Sequence, residues 1–240
     1  MKNRVFEQPS FTAPPKYKFF EGDYYEALKK LEDESRVPVT TEDVLIERLH
    51  SRYNNDRNLF LNNTITTGDL LVTGFNPSVY NGKESLILHS DSLGASRIRK
   101  DKVSSLTNDQ FEQLVNYGEG LLLSQNHHKN SGYRISLDND IINLSALSYL
   151  TNDNNKLIDN YKSLVDTFHP GQGFMAFEGP LDRHNLPGFV YALTLAPVTG
   201  SEFGYLKDVP LKFDPKATVN MSFYYTDDIS HSLVGKIHKD

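Results

Sequence analysis

Cysteine is absent from all 240 residues, which excludes disulfides, thiolate nucleophiles and zinc–thiolate centres within this chain. No run of 18 apolar residues occurs, so no membrane-spanning helix is expected. Positive charge is scarce: 25 Lys and Arg stand against 31 Asp and Glu, a formal net charge of −6 and a pI near 5.7. A chain with that balance does not grip nucleic acid along its whole surface. The local exception is the cluster Arg97, Arg99, Lys100 and Lys102, opposed only by Asp101. Apolar content is lean at 38%, but 14 Phe and 13 Tyr compensate, because each ring can bury ~150–250 Å². The opening residues Met1-Lys2-Asn3-Arg4-Val5-Phe6 lead into no apolar signal segment, so cytoplasmic synthesis is the expectation.

Complete cofactor motifs are missing too. There is no His-Glu-x-x-His, no Walker loop and no full Gly-x-Gly-x-x-Gly, and no cofactor is expected. Asp138-Asn139-Asp140 begins like a calcium loop but lacks the later ligands and the turn glycine. The nearest approach to a metal set is Asp182 and His184, which point the same way if that loop is extended. A third ligand would have to come from His169 or His231, and no metal site is assigned. His231 and His238 lie in the last ten residues and are expected to be exposed.

What the chain does contain is an unusual opening. Pro9, Pro14 and Pro15 interrupt a stretch that carries Phe6, Phe11, Tyr17, Phe19 and Phe20. Proline fixes φ and removes amide donors, so helix and central strand are both disfavoured. A disordered tail is ordinarily poor in aromatics, having nothing to bury them against. Residues 1–20 therefore read as an extended arm that docks its rings onto a surface. The partner-binding residues expected from this are Phe6, Phe11, Pro14, Pro15, Tyr17, Phe19 and Phe20.

Residues 21–240 read as a single α+β domain, with a sub-boundary candidate at 171–173. Caps mark the helices. Asp23 with Glu26, Thr40 with Asp43, and Thr107 with Gln110 are capping-box pairs, the last two flanked by the staples Val39/Val44 and Leu106/Phe111. Leu157, Tyr161, Leu164, Val165 and Phe168 form the stripe of a fourth helix, from about residue 153 to 168. Gly118 and Gly120 fall inside the third stripe, which ends at Leu122, and imply an early helix end or a close backbone approach. Strands are expected over 69–75 and 85–89, and past residue 172 over 173–178, 188–195, 210–213 and 217–225. The fold class that follows is α+β, with a helix-rich N-terminal two-thirds packed on a mainly antiparallel C-terminal sheet, preceded by the extended arm.

Two short motifs suggest chemistry. Leu70-Leu71-Val72-Thr73-Gly74-Phe75-Asn76-Pro77-Ser78, an apolar strand ending in a Gly-x-Asn-Pro turn, resembles the first active-site loop of the uracil-DNA glycosylase superfamily. The resemblance implies that a polar residue at the strand end, here Asn76, positions a water. His169-Pro170-Gly171 stands as a degraded version of that family's second loop. The match covers about a dozen residues, and a helix rather than a strand precedes His169. Separately, His89-Ser90-Asp91-Ser92-Leu93-Gly94 with Asp228-Ile229-Ser230-His231 resembles lipases with a Gly-Asp-Ser-Leu motif. That resemblance implies a Ser92 nucleophile with Asp228 and His231, although Ser90 replaces the leading glycine. A serine nucleophile needs a base within hydrogen-bond reach and a group that orients the base.

No catalytic set is complete. The expectation is therefore a non-enzymatic structural or assembly protein, such as an accessory subunit of a virus particle or similar complex, whose partners are itself or other protein subunits. The alternative is a small cofactor-free hydrolase built on Asn76 and His169, or on Ser92 and His231.

Overall fold

Strand β3, Ile65–Phe75, is the axis of the molecule. In the computed structural model the described residues are 16–51, 59–75, 83–124, 128–131, 134–137, 140–168, 173–175, 178–181, 188–199, 217–219, 221–226 and 231–237. Before β3 come β1 (Tyr17–Gly22), α1 (Tyr24–Asp33), β2 (Arg36–Pro38), α2 (Thr41–Ser51) and α3 (Leu59–Asn62). After it come β4 (Lys83–Leu88), α4 (Leu93–Asp101), α5 (Asn108–Asn116), β5 (Leu121–Ser124), β6 (His128–Ser131) and β7 (Arg134–Leu137). Then follow α6 (Asp140–Leu150), α7 (Asn155–Phe168), β8 (Gly173–Met175), β9 (Glu178–Leu181) and β10 (Val190–Leu195). The chain continues through β11 (Ala217–Val219), β12 (Met221–Tyr225) and β13 (His231–Ile237).

One mixed sheet runs β1-β13-β3-β10-β12-β9-β7-β6, with β4 and β5 branching from β3 and β2 pairing with β13. Most pairings are antiparallel; β13 on β3 and β12 on β9 are parallel. The α+β expectation holds at that level. The finer picture, helices packed on a C-terminal sheet, gives way to an interleaved one. β13 sits between β1 and β3, and β10 pairs β3 directly, so strands from both ends build the same sheet.

The period-two alternation of the central strands sorts the core into two faces. Leu71, Ile87, Tyr191, Leu193 and Leu195 face α2, α3, α6 and α7, against residues such as Val44, Phe60, Leu147 and Tyr161. Leu70, Val72, Leu86, Leu88, Val190 and Ala192 face α1, α4 and α5, against Leu28, Ile98 and Phe111. A sheet covered on both faces needs apolar residues in both registers, and all six residues of β10 are buried.

The caps behave as their chemistry dictates. Asp23 accepts from Glu26 N at 2.8 Å, and Thr107 and Gln110 form a reciprocal capping box. Thr40 and Asp43 do the same at 2.9 and 3.1 Å. α5 closes in a Schellman arrangement, with Gly118 at φ +65° and Glu119 N donating to Leu114 O. Gly120 then lets the chain pass Ile87 O, where a Cβ would stand 2.4 Å away. Leu122, expected on the helix stripe, is instead an exposed residue of β5.

Other expectations are corrected. The described end of the arm is the edge strand β1, and its rings are sheltered by their own chain. Tyr17 meets Phe60 edge-on at 5.0 Å, Phe19 meets it at 6.4 Å, and Phe20 is buried. Phe6, Phe11, Pro14 and Pro15 lie outside the described residues. His231 is buried at 4% exposure, not exposed, because it is the first residue of β13 and packs on Tyr24. The single strand expected over 217–225 is two strands: β11 pairs β8 while β12 pairs β10. Strand 173–178 likewise divides into β8 and β9. No described helix is long and apolar enough to cross a membrane.

Candidate functional site

A carboxylate sits where β3 is otherwise apolar. Asp69 is fully buried, and each of its oxygens is held. Ser90 N donates to Oδ1 at 2.7 Å. Thr41 N at 2.7 Å, Thr41 Oγ1 at 2.5 Å and Thr67 Oγ1 at 3.3 Å donate to Oδ2. The carboxylate thus ties the first turn of α2 to the junction between β4 and α4. Burial raises its pKa; the neighbouring His89 and the donated hydrogen bonds oppose that. Arg99 braces the same junction by donating to Gly68 O at 2.7 Å and Ser90 O at 2.6 Å.

A second buried charge lies on the same face of the sheet, further along α2. Arg48 of α2 is fully buried and donates to Phe60 O (2.9 Å), Tyr161 Oη (2.7 Å), Ala196 O (2.7 Å) and Leu195 O (3.5 Å). Those four contacts join α2, α3, α7 and the end of β10. Both Asp69 and Arg48 organise structure; neither reaches solvent.

Next to the Asp69 hub the surface opens. A cleft of about 940 Å³ lies between the β4–α4 junction, the start of β5, and helices α6 and α7. Its floor includes His89, Tyr149 and Ile158, and its rim carries Asn152, Asp153, Asp159 and Lys162. His89 is only 8% exposed. Its Nδ1 accepts from Asp91 N at 3.1 Å, which places the proton of the neutral ring on Nε2. Nε2 is buried without a hydrogen-bond partner among the described residues. Tyr149 stands perpendicular to the imidazole, at 6.4 Å between centroids. Its hydroxyl accepts from His89 N at 3.4 Å and donates to Glu119 O at 3.5 Å. Burial raises the Tyr149 pKa.

The rim is shaped by a tight turn between α6 and α7. Asn152 and Asp153 both adopt left-handed backbone, with φ of 50° and 61°. Neither is glycine, and Asn and Asp bear that conformation at the least cost among residues with a side chain. Ser148 Oγ donates to Asp153 Oδ1 at 2.8 Å, and Asn152 Nδ2 donates to Glu42 Oε2 at 2.9 Å. Asn154 then caps α7 by accepting from Leu157 N.

The residues singled out from sequence fall as follows. Ser92 lines the cleft, but its Oγ accepts from Ala95 N at 3.1 Å as the N-cap of α4. No hydrogen bond joins it to His231, whose Nδ1 lies 3.4 Å from Thr66 Oγ1. Asp228, Asn76, His169, Asp182 and His184 lie outside the described residues. Of the basic cluster, Arg99 turns inward to the hub, Arg97 pairs with Glu119 at 3.3 Å, and Lys102 closes α4 in left-handed backbone. Lys100 is exposed. Among the described residues no three His, Asp or Glu side chains are placed to share a metal ion. Sequence reasoning gave no role to Asp69, His89 or Tyr149. The legible signal was Asp69, a lone carboxylate opening the apolar run Leu70-Leu71-Val72, which demands buried donors.

One solved structure superposes on nearly the whole chain. It is a nanoarchaeal protein described in terms of the accommodation of massive sequence variation by the C-type lectin fold. The TM-score is 0.56, with 92% of this chain and 97% of that one covered at 12% identity. The likeness is one of fold. No family model and no curated protein matches the sequence.

Proposed function

We propose that this chain is a non-enzymatic recognition or assembly protein, a subunit that docks on a protein partner or on its own copies through the segment preceding β1. The observation that carries the reading is the position of β1. Among the described residues it pairs with β13 alone, so it is a sheet edge. Its three aromatic residues pack on their own chain. That leaves Phe6, Phe11, Pro14 and Pro15, directly upstream of this edge, as the docking residues. Edge strands with open backbone groups are ready templates for association. A few aromatic anchors at ~25 cal/mol/Å² of buried area offset the entropy of ordering such a segment. A virus particle or comparable multi-subunit complex is a setting that such a subunit would serve.

Two further points support this reading over the hydrolase alternative. The Ser92 hydroxyl is engaged as a helix cap, and both oxygens of the buried Asp69 carboxylate are committed to hydrogen bonds. The C-type-lectin-like body also suits recognition, since the nanoarchaeal protein shows the fold holding while its sequence varies. The test is solution mass at several concentrations for the full chain and for a chain lacking residues 1–15. Loss of the larger species on deletion, with unchanged circular dichroism, is the expected result. Identical masses at every concentration would refute the assignment.

A further inference from the structure

We propose that the cleft floored by His89 and Tyr149 binds a small cationic amide, separately from any docking by the N-terminal segment. Three observations converge on it. One buried polar group lining the cleft is the His89 Nε2–H, a donor with no acceptor among the described residues, and such groups are rare because burial strips their hydration without replacing it. A ligand carbonyl oxygen supplies what is missing. The rim offers the opposite chemistry: Asp153 and Asp159 are exposed carboxylates set against one ammonium, Lys162. Asn152 has its amide nitrogen committed to Glu42, which leaves its oxygen as an acceptor. A ligand that leads with an amide oxygen and trails a positive charge or N–H donors satisfies both ends. An anion meets two rim carboxylates with Asp69 beneath.

The third observation is the turn itself. Asn152 and Asp153 hold two consecutive left-handed residues at the mouth of the cleft, strain that persists where the surroundings fix it. Tyr149 is the gate. Its ring stands edge-on beside the imidazole, and among the described residues its hydroxyl is held by two long bonds, to His89 N and Glu119 O. A modest swing of this half-buried ring exposes Nε2 without disturbing the hub, whose contacts run through Thr41, Thr67 and the Ser90 backbone.

The experiment follows His89 ring and Tyr149 signals by NMR in the isotope-labelled full chain, titrated with glycinamide, N-acetylglycinamide, N-acetylglycine and glycerol. Saturable shifts are expected in the order glycinamide, then N-acetylglycinamide, then N-acetylglycine, with glycerol weaker than either amide. His89→Phe should weaken glycinamide about three- to tenfold, the worth of one hydrogen bond, and His89→Gln, which keeps a donor at similar reach, should recover most of it. Asp159→Asn, on the exposed rim where folding is not at stake, should weaken glycinamide severalfold and leave N-acetylglycinamide nearly unchanged. Tyr149→Phe should tighten both amides by removing the latch. The proposal is overturned if no probe gives saturable shifts, if N-acetylglycine or glycerol binds tightest, or if Asp159→Asn leaves the glycinamide preference intact. The mass comparison of the truncated chain is indifferent to all these outcomes, so the two readings fail separately.

Discussion

Replacing Asp69 with asparagine is nearly isosteric, yet it should be among the most damaging single changes in the chain. The two carboxylate oxygens each accept a backbone N–H at 2.7 Å, from Thr41 and from Ser90. An amide has one oxygen. Whichever way the substituted side chain flips, its NH2 faces one of those backbone donors, while the threonine hydroxyls can reorient. The lost charge-assisted bond is worth about 1.5–3 kcal/mol, and the stranded donor adds to it. Relief from burying a carboxylate offsets part, leaving a net cost of about 2–4 kcal/mol. Urea unfolding followed by circular dichroism reads this as a lower midpoint at unchanged slope. Acidification separates charge from geometry. Burial raises the Asp69 pKa above its ordinary 3.8, so the folded chain holds this proton more readily than the unfolded one. The stability it contributes is complete below about pH 3.8 and is lost as pH rises through the folded value. A protonated Asp69 donates to a threonine hydroxyl while both oxygens keep accepting. The gap between wild type and Asp69→Asn should therefore widen as pH falls from neutrality towards 4. A variant within about 0.5 kcal/mol of wild type at neutral pH, or a gap that narrows on acidification, refutes this reasoning.

Two further substitutions test the core. Arg48→Met fills similar volume but strands the Phe60 and Ala196 carbonyls, so thermal or urea unfolding should report a loss of about 3 kcal/mol or more. Gly74→Ala places a Cβ 2.2 Å from the Phe111 ring, and displacing that buried ring should cost about 1–3 kcal/mol by the same measurement.

Local chemistry was legible in the sequence, and long-range pairing was not. Asp23, Thr40 and Thr107 mark helix starts because a cap needs only partners three residues away. Ser92 carries the same signal, but beside a distant Asp-x-x-His it also reads as a nucleophile; its Ala95 contact shows the simpler role. β1 escaped because the alternation Tyr17-Lys18-Phe19 is broken at once by Phe20, and its partner lies over 200 positions away, Phe19 opposite Val234. β11 and β12 share one continuous alternation, which cannot say that the halves join different sheets. For the candidate cleft, the sequence shows neither the burial of His89 nor the approach of Tyr149, since α6 and the β4–α4 junction meet only in three dimensions.

β13 lies between β1 and β3 and also pairs with β2. During synthesis, therefore, β1 and β2 must wait unpartnered until residues 231–237 have emerged. Sheet closure at this edge is a late, high-contact-order event, and nascent chains spend their elongation time with an incomplete edge exposed to chaperones or to one another.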